Sequence, residues 1–373
     1  MHSLSNYCLG QMKAGHQVSL WALEGFAHTS PAVRLPAPIE SHIFTVEFPA
    51  ALGRSRAMRG ALRSGQLPDL FHLHGAWLRA MYYGAETARV GRIPYVVEVM
   101  GMYEPYSLQQ KWPRKRLARL WFQDAILRGA SCLHVNSSQE ARNLRSLGFS
   151  TPIAVLPVGV AMPSGHDSKV MDSSSSSLRQ LDGRPFVLFL SRIHSKKGIE
   201  ILLSAWSAIH KKHPEMMLVV AGTGAPDYLA KCRQQAEESG IAESCLWPGQ
   251  VSDEQKNWLL SHARLLALPT YSENYGNVIA EALAHGTPVI TTDTTPWHEV
   301  TSRECGWIVP PQVAELTEAL DAALGMPPEV LATMGARGRV WAQESFSIES
   351  VLGSLEQVYG WLLGNASRPA CVV

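Results

Sequence analysis

Short apolar runs alternate with helically spaced segments along nearly the whole chain, and this rhythm restricts it to an α/β fold built on parallel sheets. In the first half, strands are expected at 16–22, 42–47, 69–74, 94–99, 131–136 and 152–157. Residues 161–184 interrupt the pattern. Met162-Pro163-Ser164-Gly165 and the run Ser173 to Ser177 are turn-rich and low in complexity, which reads as a linker or surface loop. A second alternating block opens at Pro185 to Leu190 and continues through strands near 216–221, 244–248, 264–268, 287–291 and 305–309. Beyond it, Val351, Leu355, Val358 and Leu362 fall on one face of a last amphipathic helix. The pattern predicts two Rossmann-like domains, 1–160 and 185–345, facing across a cleft with ligands at the C-terminal ends of the strands. Residues 346–373 are expected to form a helix that packs back on the N-terminal domain, followed by a tail.

The start of the chain departs from that scheme. His2 to Ala14 reads as a helix leading through Gly15-His16-Gln17-Val18 into a strand, whereas a doubly wound domain opens with a strand and a glycine-rich turn. The expectation is a first domain lacking its first, central strand, in a natural product that begins roughly 15–30 residues upstream. An open central edge would then favour aggregation.

Composition narrows the class. At 373 residues, 46% hydrophobic and 17% charged, the chain is globular and can bury two cores. Its formal net charge of +1 gives no global field for nucleic acid. Six cysteines are scattered without C-x-x-C or His/Cys metal spacing, which suits a reducing cytosol. No apolar run approaches a membrane span, and the N-terminus has no signal-peptide core. A cytoplasmic protein is expected, with peripheral membrane contact open.

The densest local signal is Glu273-Asn274-Tyr275-Gly276-Asn277-Val278-Ile279-Ala280-Glu281, two carboxylates separated by seven residues. Leu265 to Thr270 reads as a buried strand ending at Pro269, and Val278 to His285 as a helix closing on Gly286. Gly276 allows close backbone approach, and the N–H groups of Asn277 and Val278 open the helix where an anion is stabilised. Glu273 sits in the loop before that point, and Glu281 about two turns into the helix. Carboxylates accept from vicinal diols while N–H groups take phosphate, so a sugar phosphate suits the arrangement. A second group, Ser191-Arg192-Ile193-His194-Ser195-Lys196-Lys197-Gly198, follows the first strand of the second block. Arg192 and Lys197 can converge there on a diphosphate. Ala221-Gly222-Thr223-Gly224 reads as a close-approach turn beside them.

Taken together, Pro269 to Pro288 with its Glu-x7-Glu spacing and Gly286-Thr287-Pro288-Val289 turn resembles the C-terminal signature of the family-4 retaining glycosyltransferases (glycosyl transferases group 1, GT-B fold). Arg192 and Lys197-Gly198 resemble that family's donor-phosphate motif, with Ser191 in place of its usual Gly. The resemblance implies a donor site of Gly222, Tyr275, Gly276, Asn277, Val278 and Glu281, with Glu281 on the ribose and Glu273 on the transferring sugar. It also implies transfer without a metal or other cofactor, the leaving-group charge falling on Arg192, Lys197 and the helix end. Retention would come from same-face substitution assisted by the departing phosphate.

On the acceptor side, Asp69 to Trp77 places His72 and His74 on one face of a strand. The pair is compatible with a metal, but no third ligand is in range in the sequence, and no metal is expected. His74-Gly75-Ala76-Trp77 resembles the His-Gly-x-Trp of the family's polysaccharide-making branch, which makes His74 a candidate catalytic residue. That branch carries a His immediately before Gly101. This chain has Met100, a thioether that cannot usefully exchange a proton, so Glu98, Glu104 or His74 takes over that role, or activity is reduced. Lys111, Arg114, Lys115, Arg116 and Arg119 lie between Trp112 and Trp121 or beside them. They read either as an ordinary solvated face or as a patch for a lipid-linked acceptor on the inner, cytoplasmic membrane leaflet. No nucleic-acid module accompanies them.

The functional expectation is a hexosyltransferase moving sugar from a nucleoside diphosphate donor to a glycan or lipid-linked acceptor, in cell-surface polysaccharide synthesis. Two rivals remain. A sugar-nucleotide epimerase would need acid/base carboxylates in the first domain. A non-catalytic sugar-nucleotide-binding homologue is favoured by Met100 and by the start of the chain.

Overall fold

The computed structural model describes residues 2–26, 35–110, 112–163, 178–181 and 183–373. The chain divides into two compact units, Met1–Gly159 with Ile348–Val373, and Val160–Ser347. Most of the Ser173–Ser177 and 161–184 expectation lies outside the described residues.

In the first unit, β1 (Ser19–Glu24) and β2 (Glu40–Thr45) pair in parallel, and β3 (Phe71–His74), β4 (Tyr95–Glu98), β5 (Cys132–Val135) and β6 (Ile153–Val155) form a separate parallel sheet in that order. No ladder joins β1 to β3 among the described residues, so the strands fall into two sheets. Side-chain alternation gives the larger sheet two apolar faces. Val97, Leu133 and Val135 face one core with Leu127 and Leu144. Val96, Cys132 and Ala154 face another, closed by Leu355, Val358 and Tyr359 of helix Ile348–Leu362. The terminal helix therefore belongs to the first unit. The opening helix is His2–Lys13, and its strand begins at Ser19, three residues later than the sequence pattern predicts.

The second unit carries one six-stranded parallel sheet. Its strands are β7 (Phe186–Leu190), β8 (Met217–Ala221), β9 (Cys245–Gly249), β10 (Leu265–Leu268), β11 (Val289–Thr292) and β12 (Gly306–Val309), in the order β12-β11-β10-β7-β8-β9. The central strands β7, β8 and β10 are buried along their whole length, as expected for a sheet covered by helices on both faces. Sequence neighbours β7, β8 and β9 run to one side and β10, β11 and β12 to the other. The strand order therefore reverses at β7 and β10, and the loops leaving their C-terminal ends lie side by side.

Candidate active site

The loops after β7 and β10 are joined by their backbones. Tyr271 N–H and the Thr270 hydroxyl both donate to the Lys196 carbonyl, each at 2.9 Å. Gly198 makes this approach possible. It sits at φ 67°, and a Cβ there would lie 1.9 Å from the Pro269 carbonyl oxygen. The junction delivers Lys197 to Glu273, and the two form an ion pair with both side chains largely buried. Arg192 lies on the same loop, exposed. Gly222, at φ 134°, is explained by its own chain, since a Cβ would meet the Ser191 carbonyl oxygen at 1.9 Å. The glycine turn after β8 is thus shaped to the neighbouring 191–193 loop, with Ile193 N–H donating to the Thr223 carbonyl at 2.8 Å.

After β10 the chain turns through Gly276 (φ 82°) into helix Asn277–Ala284, which has no side-chain N-cap. Its first N–H groups have no intrahelical acceptor and meet the positive end of the helix dipole. Tyr275, buried, precedes the turn, and its carbonyl accepts from Trp297 Nε1. Trp297 is wedged edge-on against Trp341 and Phe346, which fixes the turn from below. Glu281 is the fifth residue of the helix, little more than one turn from its start rather than two. Its carboxylate pairs with Lys256 at 2.9 Å. Burial pushes the Lys256 ammonium down, but Glu281 and Asp253 more than offset this and hold it above its ordinary value. The structure thus brings together Lys197, Glu273, Gly276, Asn277 and Val278, and adds Lys256 and Trp297. Neither addition stands in a recognisable motif, so sequence reading misses both.

In the first unit, β3 and β4 pair with His74 opposite Glu98. His74 Nδ1 lies 2.5 Å from Glu98 Oε2, and Glu98 is 3% exposed. The structure corrects the sequence reading here, because parallel pairing supplies the third group that sequence spacing could not show. His72, His74 and Glu98 present donor atoms within 4.8 Å of one another. Burial pushes the Glu98 carboxyl up, yet the imidazoles of His134 and His74 and the His74 hydrogen bond hold it well below the usual range. His72 is pushed down by burial first. Met100 is half exposed in a left-handed turn (φ 53°). Of the groups weighed to replace a histidine there, Glu98 is buried behind His74, while Glu104 accepts from Asn143 Nδ2 at 2.8 Å. The next residue, Gly101, donates its N–H to Glu140. That carboxyl is fully buried, and burial raises it to about 7 although the Asn136 and Gly101 N–H groups oppose the shift.

The basic patch is narrower than its sequence. Lys111 lies outside the described residues. Arg119 forks onto Asp124 at 3.0–3.2 Å, and Lys115 turns inward to the Ser107 carbonyl and the Trp77 ring. Arg114 and Arg116 remain exposed on helix Trp112–Ala118, beside exposed Trp112, Leu117, Leu120 and Trp121. A π-helical segment, Arg119–Gln123, follows that helix directly and carries Leu120 and Trp121. Among the described residues no helix is long and apolar enough to cross a membrane.

Residues 3–159 match the family described as glycosyl transferase 4-like domain, and residues 171–341 match glycosyl transferases group 1. The chain is 27% identical over 238 residues to the D-inositol 3-phosphate glycosyltransferase of Corynebacterium jeikeium, covering 61% of this chain and 56% of that protein. It is 33% identical over 177 residues to the phosphatidyl-myo-inositol mannosyltransferase of Mycobacterium tuberculosis, covering 44% of each. The chain therefore spans about half the length of the curated relatives it matches. Among solved structures, Anabaena Alr3699/HepE in complex with UDP and glucose superposes with a TM-score of 0.71 at 19% identity, over 95% of both chains. The sucrose-phosphate synthase of Thermosynechococcus elongatus gives 0.74 at 21% identity, over 96% of this chain and 92% of that one. With one family domain in each unit and the GT-B fold, the chain belongs to the group 1, family-4 glycosyltransferases.

Proposed function

We propose that this protein is a retaining hexosyltransferase that takes its sugar from a nucleoside diphosphate donor and passes it to a glycan or lipid-linked acceptor. The observation that carries the reading is the joined pair of loops after β7 and β10. They set Lys197, Glu273 and the uncapped helix end at Gly276 in one place, with Arg192 exposed on the loop after β7. Departure of a nucleoside diphosphate builds negative charge on the β-phosphate. Arg192 supplies a bidentate fork, Lys197 a point charge, and the N–H groups of Asn277 and Val278 the helix end. In the ligand-free state Lys197 and Glu273 neutralise each other. An arriving phosphate shares the ammonium, leaving the carboxylate able to accept from a donor-sugar hydroxyl. Glu281, steadied by Lys256, accepts from the ribose diol.

The relatives named D-inositol 3-phosphate glycosyltransferase and phosphatidyl-myo-inositol mannosyltransferase, and the neighbour solved with UDP and glucose, support a nucleotide-sugar donor and a polar or lipid-borne acceptor. Exposed Trp112, Leu117, Leu120 and Trp121 with Arg114 and Arg116 suit shallow insertion into an anionic leaflet. A second reading, a sugar-nucleotide-binding homologue without turnover, is favoured by Met100 at the β4 turn. Incubation with a panel of UDP-, GDP-, ADP- and dTDP-hexoses separates the two, with nucleotide release and the product anomer read by NMR. Transfer with the donor's anomeric configuration supports the proposal. An inverted anomer removes retention, and saturable binding without release under every acceptor favours the second reading.

A further inference from the structure

The strand-end histidines of the first unit, both partly exposed, form with buried Glu98 a cluster that has no task in phosphate departure. His72 and His74 leave one face of β3, and Glu98 joins them from β4, in register with His74. The His72 and His74 rings lie 4.2 Å apart, and one donor atom from each of the three residues falls within 4.8 Å of the others. Carboxylates grouped on a surface are common without an ion, but Glu98 is 3% exposed. Each side is also held by an outer partner. Tyr359 Oη lies 2.6 Å from His72 Nδ1 and takes the Gln11 amide at 2.9 Å. Asn136 Nδ2 donates to the second Glu98 oxygen at 3.3 Å.

From this geometry we infer that His72, His74 and Glu98 form a site for one divalent transition-metal ion of the zinc class. Two imidazoles and a carboxylate are a donor set zinc accepts, with a fourth position left for water or another ligand. Calcium and magnesium need six or more ligands, nearly all of them oxygen, which this cluster cannot supply. Tyr359 and Asn136 are the outer hydrogen bonds that orient metal ligands. The ion takes the place of the hydrogen bond between His74 Nδ1 and Glu98 Oε2. Adjacent ligands on tetrahedral zinc sit about 3.3 Å apart given bonds near 2.0 Å, so the 2.5 Å pair opens by less than about 1 Å. The ion ties β3 to β4 and, through Tyr359 and Gln11, to helices Ile348–Leu362 and His2–Lys13 of the same unit. It is structural, and sugar transfer does not pass through it.

The test uses the full chain purified without chelator, with bound metal counted by mass spectrometry. The chelated protein is then titrated with Zn²⁺ and Co²⁺. One zinc per chain as purified, or a four-coordinate cobalt spectrum and a melting-temperature rise that both saturate at one equivalent, supports the site. Mg²⁺ should produce neither. His72→Gln and Glu98→Gln should abolish the cobalt spectrum. If either fails to fold, Tyr359→Phe keeps all three ligands and should weaken zinc about 10–100-fold. A chain that carries no metal and shows neither a spectrum nor a melting shift on titration overturns the inference. So does a Tyr359→Phe chain that binds zinc as tightly as the natural sequence.

Discussion

Replacing Gly198 by Ala tests whether the junction of the β7 and β10 loops assembles the donor site. Two costs add. A left-handed φ of 67° costs an L-residue about 1–2 kcal/mol. The new Cβ would also stand 1.9 Å from the Pro269 carbonyl oxygen and 2.9 Å from its carbon, both backbone atoms with no rotamer to yield. The loops must part by more than about 1 Å to restore a normal contact. That separation gives up the Tyr271 and Thr270 hydrogen bonds to the Lys196 carbonyl, each worth about 1 kcal/mol. The sum is about 3–4 kcal/mol. Gly240 in the same unit is the control, at φ 69° with nothing within 4 Å of its Cβ position, so Gly240→Ala should cost only the conformational part. The difference of about 2 kcal/mol corresponds to roughly 4–8 °C in melting temperature for a unit of this size. Turnover should fall in Gly198→Ala alone, because Lys197 moves with the loop. Equal destabilisation by the two substitutions, or full turnover in Gly198→Ala, refutes the reasoning.

Other consequences can be measured separately. Lys256→Met should raise the donor KM several-fold with little change in kcat, since it frees Glu281 to swing from the ribose; an unchanged KM would leave the pair a surface ion pair. Glu281→Gln should also act on KM, whereas Glu273→Gln should lower kcat, and equal effects on both parameters in both variants would remove that division of labour. Glu140 has a folded value of about 7 against an ordinary 4.5, so the folded state binds its proton more tightly than the unfolded one. Its stabilisation is complete below about pH 4.5 and is lost as pH rises through about 7, up to about 3 kcal/mol. Denaturation at pH 5 and 8 should show this slope, and Glu140→Gln should flatten it; an identical slope in the variant would assign it elsewhere. Replacing Trp112, Leu120 and Trp121 by Ser should reduce binding to anionic vesicles more than neutralising Lys115 and Arg119, which are already engaged within the unit; the opposite ranking would restore the purely basic patch.

The strands and the loops after β7 and β10 were legible because their signals are local. Strand alternation, Gly276 before a helix and Lys197 before Gly198 each state their geometry within a few residues. What escaped was set by contacts across sequence. Lys256 reaches Glu281 from 25 positions away, and Trp297 braces Tyr275 from 22. Glu98 completes the histidine cluster only because β4 pairs in parallel with β3. The Arg119 pairing escaped for a different reason: the π-helical segment after Ala118 leaves Asp124 within reach of its guanidinium. Gly222 was recognised as a close-approach glycine, but what approaches it in the fold is Ser191.

The central claim is that the charge of a departing nucleoside diphosphate falls on Arg192 and Lys197. Its most direct measurement is single-turnover transfer from the preferred donor by the natural chain, Arg192→Ala and Lys197→Ala, with folding checked by melting temperature. The account predicts that each variant melts close to the natural chain and transfers about 10²-fold more slowly, about 3 kcal/mol of lost stabilisation in the transition state. Near-full transfer by either variant would contradict it.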